Sequence, residues 1–289
     1  MLFPRVPDYH KPGKPLVPTG LGVIYVLAST AYLFILHPLE SSDPKGLSRA
    51  LTLATCILFG GFMGLLDDWM NLRWRYKAFL PLMAAIPLAT LAYKLHVRTS
   101  IGLPFLGTID FGNYYFFVVI PVLVTIVTNT VNQLGGLNGL ETVCPAIVII
   151  GLIIISGSNA LLLLMPLAVW LVLAFFNFKG KIFVGNTGSF AIGLTLAAFA
   201  IIADLKWSLI ISILPYIFNS SLILLNYFLF RTKANVSFDG KKLFSNHRRS
   251  LITLITYHRP LTERRVVLII SALVAASTAA AALTNILAL

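Results

Sequence analysis

Two adjacent carboxylates, Asp67 and Asp68, open a polar stretch that runs through Asn71, Arg73, Trp74, Arg75 and Lys77 and follows directly on an apolar run ending at Leu66. Neighbouring carboxylates suit ligation of a hard cation such as Mg2+, or removal of a proton. Clustered Arg and Lys suit phosphate. An interfacial anchor would use Trp69, Arg73 and Arg75 in the same place, holding a helix end at the headgroups. Anchoring gives no use for Asp67, because a carboxylate at an apolar edge is costly.

A second polar stretch, Asn129 to Glu141, holds Asn129, Asn132 and Asn138 together with Gly135, Gly136 and Gly139. Asn132 can offer a carbonyl oxygen to a metal, and the glycines let a ligand approach the backbone. The competing account is a broken helix satisfied by Asn side chains. A third stretch, Phe183-Val184-Gly185-Asn186-Thr187-Gly188-Ser189, leads straight into an apolar run. Backbone N–H groups at a helix start suit an anion, and Phe183 could stack on a base. An ordinary N-cap by Asn186 or Thr187 explains the same residues. A basic loop, Arg231 to Arg265, carries nine Lys and Arg against Asp239 and Glu263. Anionic lipid accounts for it by default and a pyrophosphate is the sharper reading; His247 and His258 are candidate bases there. The N-terminal run Asp8-Tyr9-His10-Lys11-Pro12-Gly13-Lys14-Pro15 is polar and stiffened by proline.

The elements that must position these residues are apolar helices. Of 289 residues 58% are hydrophobic and 11% charged, and mean hydropathy is +0.88. A soluble domain carries roughly 25% charged residues, so lipid is the expected solvent. The formal net charge of +12 fits basic loops facing headgroups and needs no nucleic acid. Cys56 and Cys144 lie in apolar surroundings and read as packing residues, with no disulfide or metal implied. Windows of about 20 apolar residues give nine spans: Leu16–His37, Ala50–Leu66, Ala78–Leu95, Tyr114–Val131, Val143–Ser156, Ala160–Phe178, Gly188–Ala203, Trp207–Phe230 and Val266–Leu287. The expected fold is an all-α polytopic membrane protein, one membrane-embedded domain over residues 1–289. With a cytoplasmic N-terminus, seventeen of the 22 Lys and Arg fall on the cytoplasmic face, leaving Lys45, Arg49, Lys94, Arg98 and Lys206 opposite. The same assignment gathers every unusual polar stretch on one face, as a site built from loops requires.

Taken in order, these motifs resemble the polyprenyl-phosphate N-acetylhexosamine-1-phosphate transferase superfamily, glycosyltransferase family 4. That group includes the bacterial phospho-MurNAc-pentapeptide translocase. The likeness covers nearly the whole chain and is closest to the eukaryotic and archaeal UDP-GlcNAc:dolichyl-phosphate GlcNAc-1-phosphate transferases. It rests on Asp67-Asp68 with Asn71-Leu72-Arg73-Trp74-Arg75 and Lys77, and on Asn129-x-x-Asn132 with Gly136-Leu137-Asn138-Gly139-Leu140-Glu141. The resemblance implies transfer of GlcNAc-1-phosphate from UDP-GlcNAc to a polyprenyl or dolichyl phosphate, releasing UMP, with Mg2+ (Mn2+ the alternative) on the donor pyrophosphate. It implies Asp67, Asp68 and Lys77 at the reaction centre, with Asp67 a base for the lipid phosphate and Lys77 on phosphate. It implies Asn132 and Asn186 on the metal. Phe183, Asn138 and Gly136 would lie on the uridine, Trp74 and Arg231 near the sugar, and Asn71 and Asn129 among the substrate contacts. Asn186 stands where the family has an acidic metal ligand, which raises the alternative of a relative that binds nucleotide sugar or lipid phosphate without turnover. The resemblance further implies a span ahead of the Asp8-x-x-Lys11 segment, where this sequence starts at Met1. The host membrane is expected to be an archaeal or prokaryotic plasma membrane. The sequence leaves oligomeric state open, a homodimer being one option. A transporter would carry ionisable residues in mid-span; here they gather at span ends.

Overall fold

A computed structural model describes residues 3–40, 48–103 and 107–287; Lys45, Met1 and Leu2 lie outside them. The helices are α1 (Gly22–Glu40), α2 (Arg49–Met70), α3 (Trp74–Lys94), α4 (Ile120–Gln133), α5 (Leu140–Ile155), α6 (Leu161–Phe178), α7 (Gly185–Ile202), α8 (Lys206–Ser212), α9 (Leu214–Phe230), α10 (Leu251–Ile255) and α11 (Glu263–Leu287). A π-turn, Tyr115–Val119, leads into α4, and a 3-10 turn, Gly157–Ala160, into α6. The described residues also form three two-stranded antiparallel hairpins, one ahead of α1 and two between helices. They pair β1 (Arg5–Pro7) with β2 (Leu16–Pro18), β3 (Ser100–Leu103) with β4 (Gly107–Asp110), and β5 (Ser237–Phe238) with β6 (Leu243–Phe244).

Among the described residues six helices are long and apolar enough to cross a membrane, and the bent pair α8–α9 makes a seventh. Gly22–Pro38 of α1 and α5 are shorter apolar helices. These are the nine segments expected from hydropathy, and the chain is an all-α, multi-pass membrane protein. Two spans differ most from expectation. The first begins at Gly22 rather than Leu16, because Leu16–Pro18 pairs as a strand with Arg5–Pro7, and Pro15 and Pro18 have no N–H to give a helix. The eighth is not one rod: it bends by 61° between Ser212 and Leu214. Pro215 lies in the first turn of α9, where its missing N–H ends the α8 ladder.

α7 is the axis of the bundle, with 89% of its membrane window buried. Its neighbours come close because glycines face it. A Cβ on Gly64 of α2 would lie 2.2 Å from the Asn186 carbonyl oxygen, and one on Gly60 2.8 Å from the Ala191 Cα. A Cβ on Gly22 of α1 would lie 2.2 Å from the Gly188 nitrogen, and one on Gly193 2.9 Å from the Thr128 Cα of α4. Lipid offers no hydrophobic drive between helices, so small residues that admit close backbone contact hold them together. Around this axis Trp170 donates to the Thr142 carbonyl at 2.8 Å and packs edge-on against Tyr25, whose hydroxyl meets Thr195 Oγ1 at 2.7 Å. Cys56 and Cys144 are buried, Cys56 against the Ala84 carbonyl and Cys144 against Ser271.

Because helices alternate in direction, one end of the bundle gathers the β1–β2 hairpin, the turn at 71–73, the loop at 134–139, the segment at 179–184 and the loop at 231–262. The opposite end holds Arg49 on Asn159 (3.1 Å) and Lys206 on the Arg98 carbonyl (2.6 Å). Every motif singled out in the sequence falls at the first end. The α2–α7 contact leaves no room for a methyl, so Gly64→Ala is expected to destabilise the protein by about 1–3 kcal/mol. Thermal unfolding of purified protein in detergent would check this, and an unchanged midpoint would contradict the close contact.

Candidate active site at the start of the central helix

α2 runs four residues further than its apolar run, so Asp67 and Asp68 lie in its last turn. Asn71 ends it in the left-handed region (φ 48, ψ 62), returning its N–H to the Asp67 carbonyl at 2.9 Å. Asn tolerates this conformation better than most residues. The two carboxylates then diverge. Asp68 reaches across to α7, which has no side-chain cap of its own. Its Oδ1 accepts from the Asn186 N–H at 2.9 Å. Its Oδ2 accepts from the Thr187 N–H at 2.9 Å and the Thr187 hydroxyl at 2.7 Å. Asp68 thus satisfies orphan donors and complements the positive end of the helix dipole. Asp67 turns the other way and is buried, 2% exposed. Its Oδ1 accepts from the Leu72 N–H at 3.0 Å, and Oδ2 lies 2.7 Å from Lys77 Nζ. Lys77 stays partly open to solvent.

Beside the α7 start lies an open cleft of ≈ 430 Å³. Asp68, Asn132, Gly136, Phe183 and Asn186 all line it, joined by Glu141 and Ser189. Val6 and Thr19 of the β1–β2 hairpin close one side. That hairpin is stitched to the segment before α7: the Phe183 N–H donates to the Pro18 carbonyl at 2.8 Å, and the Gly22 N–H to the Val184 carbonyl at 2.9 Å. Asn132 on α4 faces α7, its Oδ1 accepting from Ser189 Oγ at 2.5 Å. Glu141 is held by Asn177, which donates to its Oε1 at 3.2 Å and to the Ile182 carbonyl at 2.8 Å. The Asn177 oxygen accepts from the Gly139 N–H at 2.8 Å and the Thr142 hydroxyl at 3.0 Å. One buried amide therefore fixes the α4–α5 loop, the end of α6 and the approach to α7.

The sequence profile of glycosyl transferase family 4 matches residues 50–204, which run from the start of α2 past the end of α7. The chain belongs to glycosyl transferase family 4. Relatives are similar over longer stretches. A protein of Saccharolobus solfataricus, provisionally named a UDP-N-acetylglucosamine–dolichyl-phosphate N-acetylglucosaminephosphotransferase, is 30% identical over 91% of this chain and 82% of its own length. A Sulfolobus acidocaldarius protein with the same provisional name is 30% identical over 73% and 66%. A phospho-N-acetylmuramoyl-pentapeptide-transferase of Streptococcus uberis is 27% identical over 80% and 72%.

Not all the residues picked from sequence meet in this family 4 cleft. Trp74 starts α3 and packs edge-on against Tyr227 (6.3 Å) and Phe228 (5.6 Å), in the last turn before Arg231. Trp74 and Arg231 are thereby neighbours on an exposed shoulder. Asn129 donates within its own helix to the Thr125 carbonyl at 2.9 Å. Asn138 is buried against Asp8 and Glu263. His247 takes part in a local turn with Ser245; burial and then Arg249 hold its pKa below the usual imidazole value.

Glu141, Ser189 and Thr19 were not singled out from the sequence. Glu141 and Ser189 sit inside motifs already noted, so a carboxylate or hydroxyl one turn from a motif Asn was the available signal. Asn177, an amide in an apolar helix, is a second such signal. The capping role of Asp68 yields a direct expectation. Asp68→Ala leaves three donors without an acceptor and should cost about 1–2 kcal/mol. Asp68→Asn, which keeps one acceptor oxygen, should cost less. Chemical denaturation in detergent would compare them, and equal, negligible costs would contradict the cap.

Proposed function

We propose that this protein transfers GlcNAc-1-phosphate from UDP-GlcNAc to a polyprenyl or dolichyl phosphate, from a site on the cytoplasmic face of an archaeal or prokaryotic plasma membrane. The observation that carries the reading is the meeting of three separate motifs, through Asp68, Asn132, Gly136, Phe183 and Asn186, in one open cleft at the end of the bundle. The names of the archaeal relatives support the substrates. The weight of basic residues at this end supports the cytoplasmic face.

An oxygen of the lipid phosphate attacks the β-phosphorus of the donor. The bond from that phosphorus to the bridging oxygen breaks, UMP leaves, and a lipid-pyrophosphate sugar remains. Phosphoryl transfer of this kind asks mainly for positioning and charge neutralisation. A phosphate monoester has its second pKa near about 6, so the nucleophile is largely ionised at neutral pH and needs no strong base. That changes the role of Asp67. Both of its oxygens are engaged, one by Leu72 and one by Lys77. In this account Asp67 orients the Lys77 ammonium, and Lys77 neutralises phosphate.

The cleft also suits a hard divalent cation by the chemistry of its donors. Asp68 and Glu141 bring carboxylates, Asn132 and Asn186 amide carbonyls, and Ser189 a hydroxyl, all of them oxygen. Among the described residues no group of three or more His, Cys, Asp or Glu is gathered as a closed metal cage. Mg2+ bound through few carboxylates and the substrate phosphates needs none. Asn132 and Asn186 would hold Mg2+, or Mn2+, whose chemistry is to offset the pyrophosphate charge. Phe183 and the Gly136 backbone bind the uridine. Trp74 and Arg231 stand apart at the shoulder and would meet the sugar or lipid headgroup.

The test is transfer of labelled GlcNAc-phosphate from UDP-GlcNAc to a polyprenyl phosphate, with Mg2+, in membranes carrying the chain. Asp67→Asn, which weakens the hold on Lys77, is expected to lower turnover at least ~100-fold, with folding checked by gel filtration. Turnover in the parent chain supports the transferase. UDP-GlcNAc binding without turnover would instead favour the non-catalytic relative, to which Asn186 points.

A further inference from the structure

Of the five Lys and Arg assigned to the face opposite the cleft, three gather at one corner: Lys94 at the end of α3, Arg98 just before β3, and Lys206 at the start of α8. Lys206 is buried, pairing with Asp204 at 2.6 Å and donating to the Arg98 carbonyl at 2.6 Å. That bond holds the backbone of Arg98 while its side chain stays exposed. Arg98 Nε donates to Ser100 Oγ at 2.8 Å, which uses one of the five N–H bonds of a guanidinium. Arg98, Ser100, Thr108 and Asn113 line an open polar hollow of ≈ 760 Å³ between the end of α3 and the β3–β4 hairpin. Asp110 is the one acid among the described residues that line it. Its Oδ1 already accepts from the Thr99 hydroxyl at 2.5 Å and the Gly112 N–H at 3.0 Å. Beside the hollow an apolar groove of ≈ 380 Å³ runs between α3 and α4, lined by Leu82, Ile86, Ala89, Phe117 and Pro121, with Lys94 at its polar end. Tyr93 and Phe116, packed edge-on at 5.3 Å, line both, so the two are continuous. Phe116 and Phe117 belong to the π-turn ahead of α4, and such turns recur at functional sites.

We propose that hollow and groove together bind one anionic phospholipid of the leaflet opposite the cleft, its phosphate on Arg98 and Lys94 and one hydrocarbon chain between α3 and α4. The leaflet follows from the orientation proposed above; the site itself does not depend on it. Cations on this face work against that orientation, so cations kept at the mouth of an apolar groove have a local use. Arg offers a phosphate two parallel N–H bonds, and Lys lays an apolar stem along the groove while its ammonium stays at the headgroups. His96 on the same wall adds a ring N–H. A free anion would leave the groove empty, and an uncharged chain would leave the cations without a partner. A zwitterionic headgroup carries an ammonium that Arg98 and Lys94 repel. The lipid would cover the span that most needs cover. With 33% of its window buried, α3 is the least buried of the six spans among the described residues. Pro81 and Pro87 take two N–H groups from its ladder. The other end of the same helix carries Lys77, the partner of Asp67.

The test uses the full chain in detergent and a phosphatidylglycerol carrying a diazirine on one acyl chain, with crosslinks mapped by mass spectrometry. The phosphatidylcholine analogue runs beside it, and unlabelled polyprenyl phosphate serves as competitor. Phosphatidylglycerol is expected to label residues 82–94 and 116–121, phosphatidylcholine to label them about 10-fold less, and polyprenyl phosphate to leave the labelling unchanged. Arg98→Gln should lower phosphatidylglycerol labelling about 10-fold, and Arg98→Lys should recover most of it. Ser100→Ala removes the bond to Arg98 and keeps the charge, so it should label like the parent chain; a loss as large as that of Arg98→Gln would reduce Arg98 to a structural role and overturn the proposal. Ala89→Phe fills the groove and should abolish labelling there by either lipid. Equal labelling by the two phospholipids, or parental labelling in Arg98→Gln, would overturn the proposal. Displacement by polyprenyl phosphate would also overturn it, giving the groove to the acceptor chain. The measurement needs no nucleotide and no turnover, so a failed transfer assay would remove the proposed function and leave this result standing.

Discussion

The contact between Asp68 and the start of α7 is the constraint on which the rest depends. A helix that begins at a membrane surface and has no side-chain cap of its own leaves N–H groups exposed. Asp68, borrowed from a helix more than a hundred residues earlier in the chain, takes two of them and a hydroxyl. The contact fixes the end of α2 against α7, and with it both the turn that carries Lys77 and the helix turn that carries Asn186. A carboxylate there also places a negative group at one wall of the cleft, which Glu141, two amides and a hydroxyl complete.

Lipid as a solvent explains why the contact has this form. Helices in a bilayer gain nothing by hiding apolar faces from each other, so they meet where small residues let backbones touch. Gly60 and Gly64 on α2, Gly22 on α1 and Gly193 on α7 make those approaches. Most of the charged groups then lie at helix ends, and amides inside are held by hydrogen bonds. Asn177 is the internal case, with both of its N–H bonds and its oxygen in use. Asn138 is held less completely: its nitrogen is saturated while its oxygen, like the hydroxyls of Ser29, Thr128 and Thr278, has no hydrogen-bond partner among the described residues.

Much of this was legible in the sequence. The spans stand out because twenty apolar residues have few other uses. The gathering of the motifs at one end follows from counting spans and basic residues. The roles within a motif were less legible, since they depend on partners distant in sequence. Asp67 and Asp68 are adjacent and alike in type, yet one pairs with Lys77 and the other with α7; no local pattern distinguishes them. An N-cap for α7 was expected from Asn186 or Thr187, but those residues are the donors and Asp68 the acceptor. Asn138 carried a motif signal, whereas its partners Asp8 and Glu263 sat in stretches read as a proline-stiffened arm and a basic loop. The break at Ile213 was hidden inside a continuous apolar run, with Pro215 its one local sign.

Central to the proposed function is that Asn186, carried on the capped turn of α7, would help hold a divalent cation on the donor pyrophosphate. The most direct measurement is the Mg2+ dependence of UDP binding in the parent chain and in Asn186→Asp. A carboxylate at this position adds a charged ligand to a site that has an amide, and binds a hard cation more tightly. The account predicts that half-maximal UDP binding is reached at an Mg2+ concentration about 10-fold lower in Asn186→Asp. An identical Mg2+ dependence in the two proteins, or UDP binding indifferent to Mg2+ in both, would contradict it.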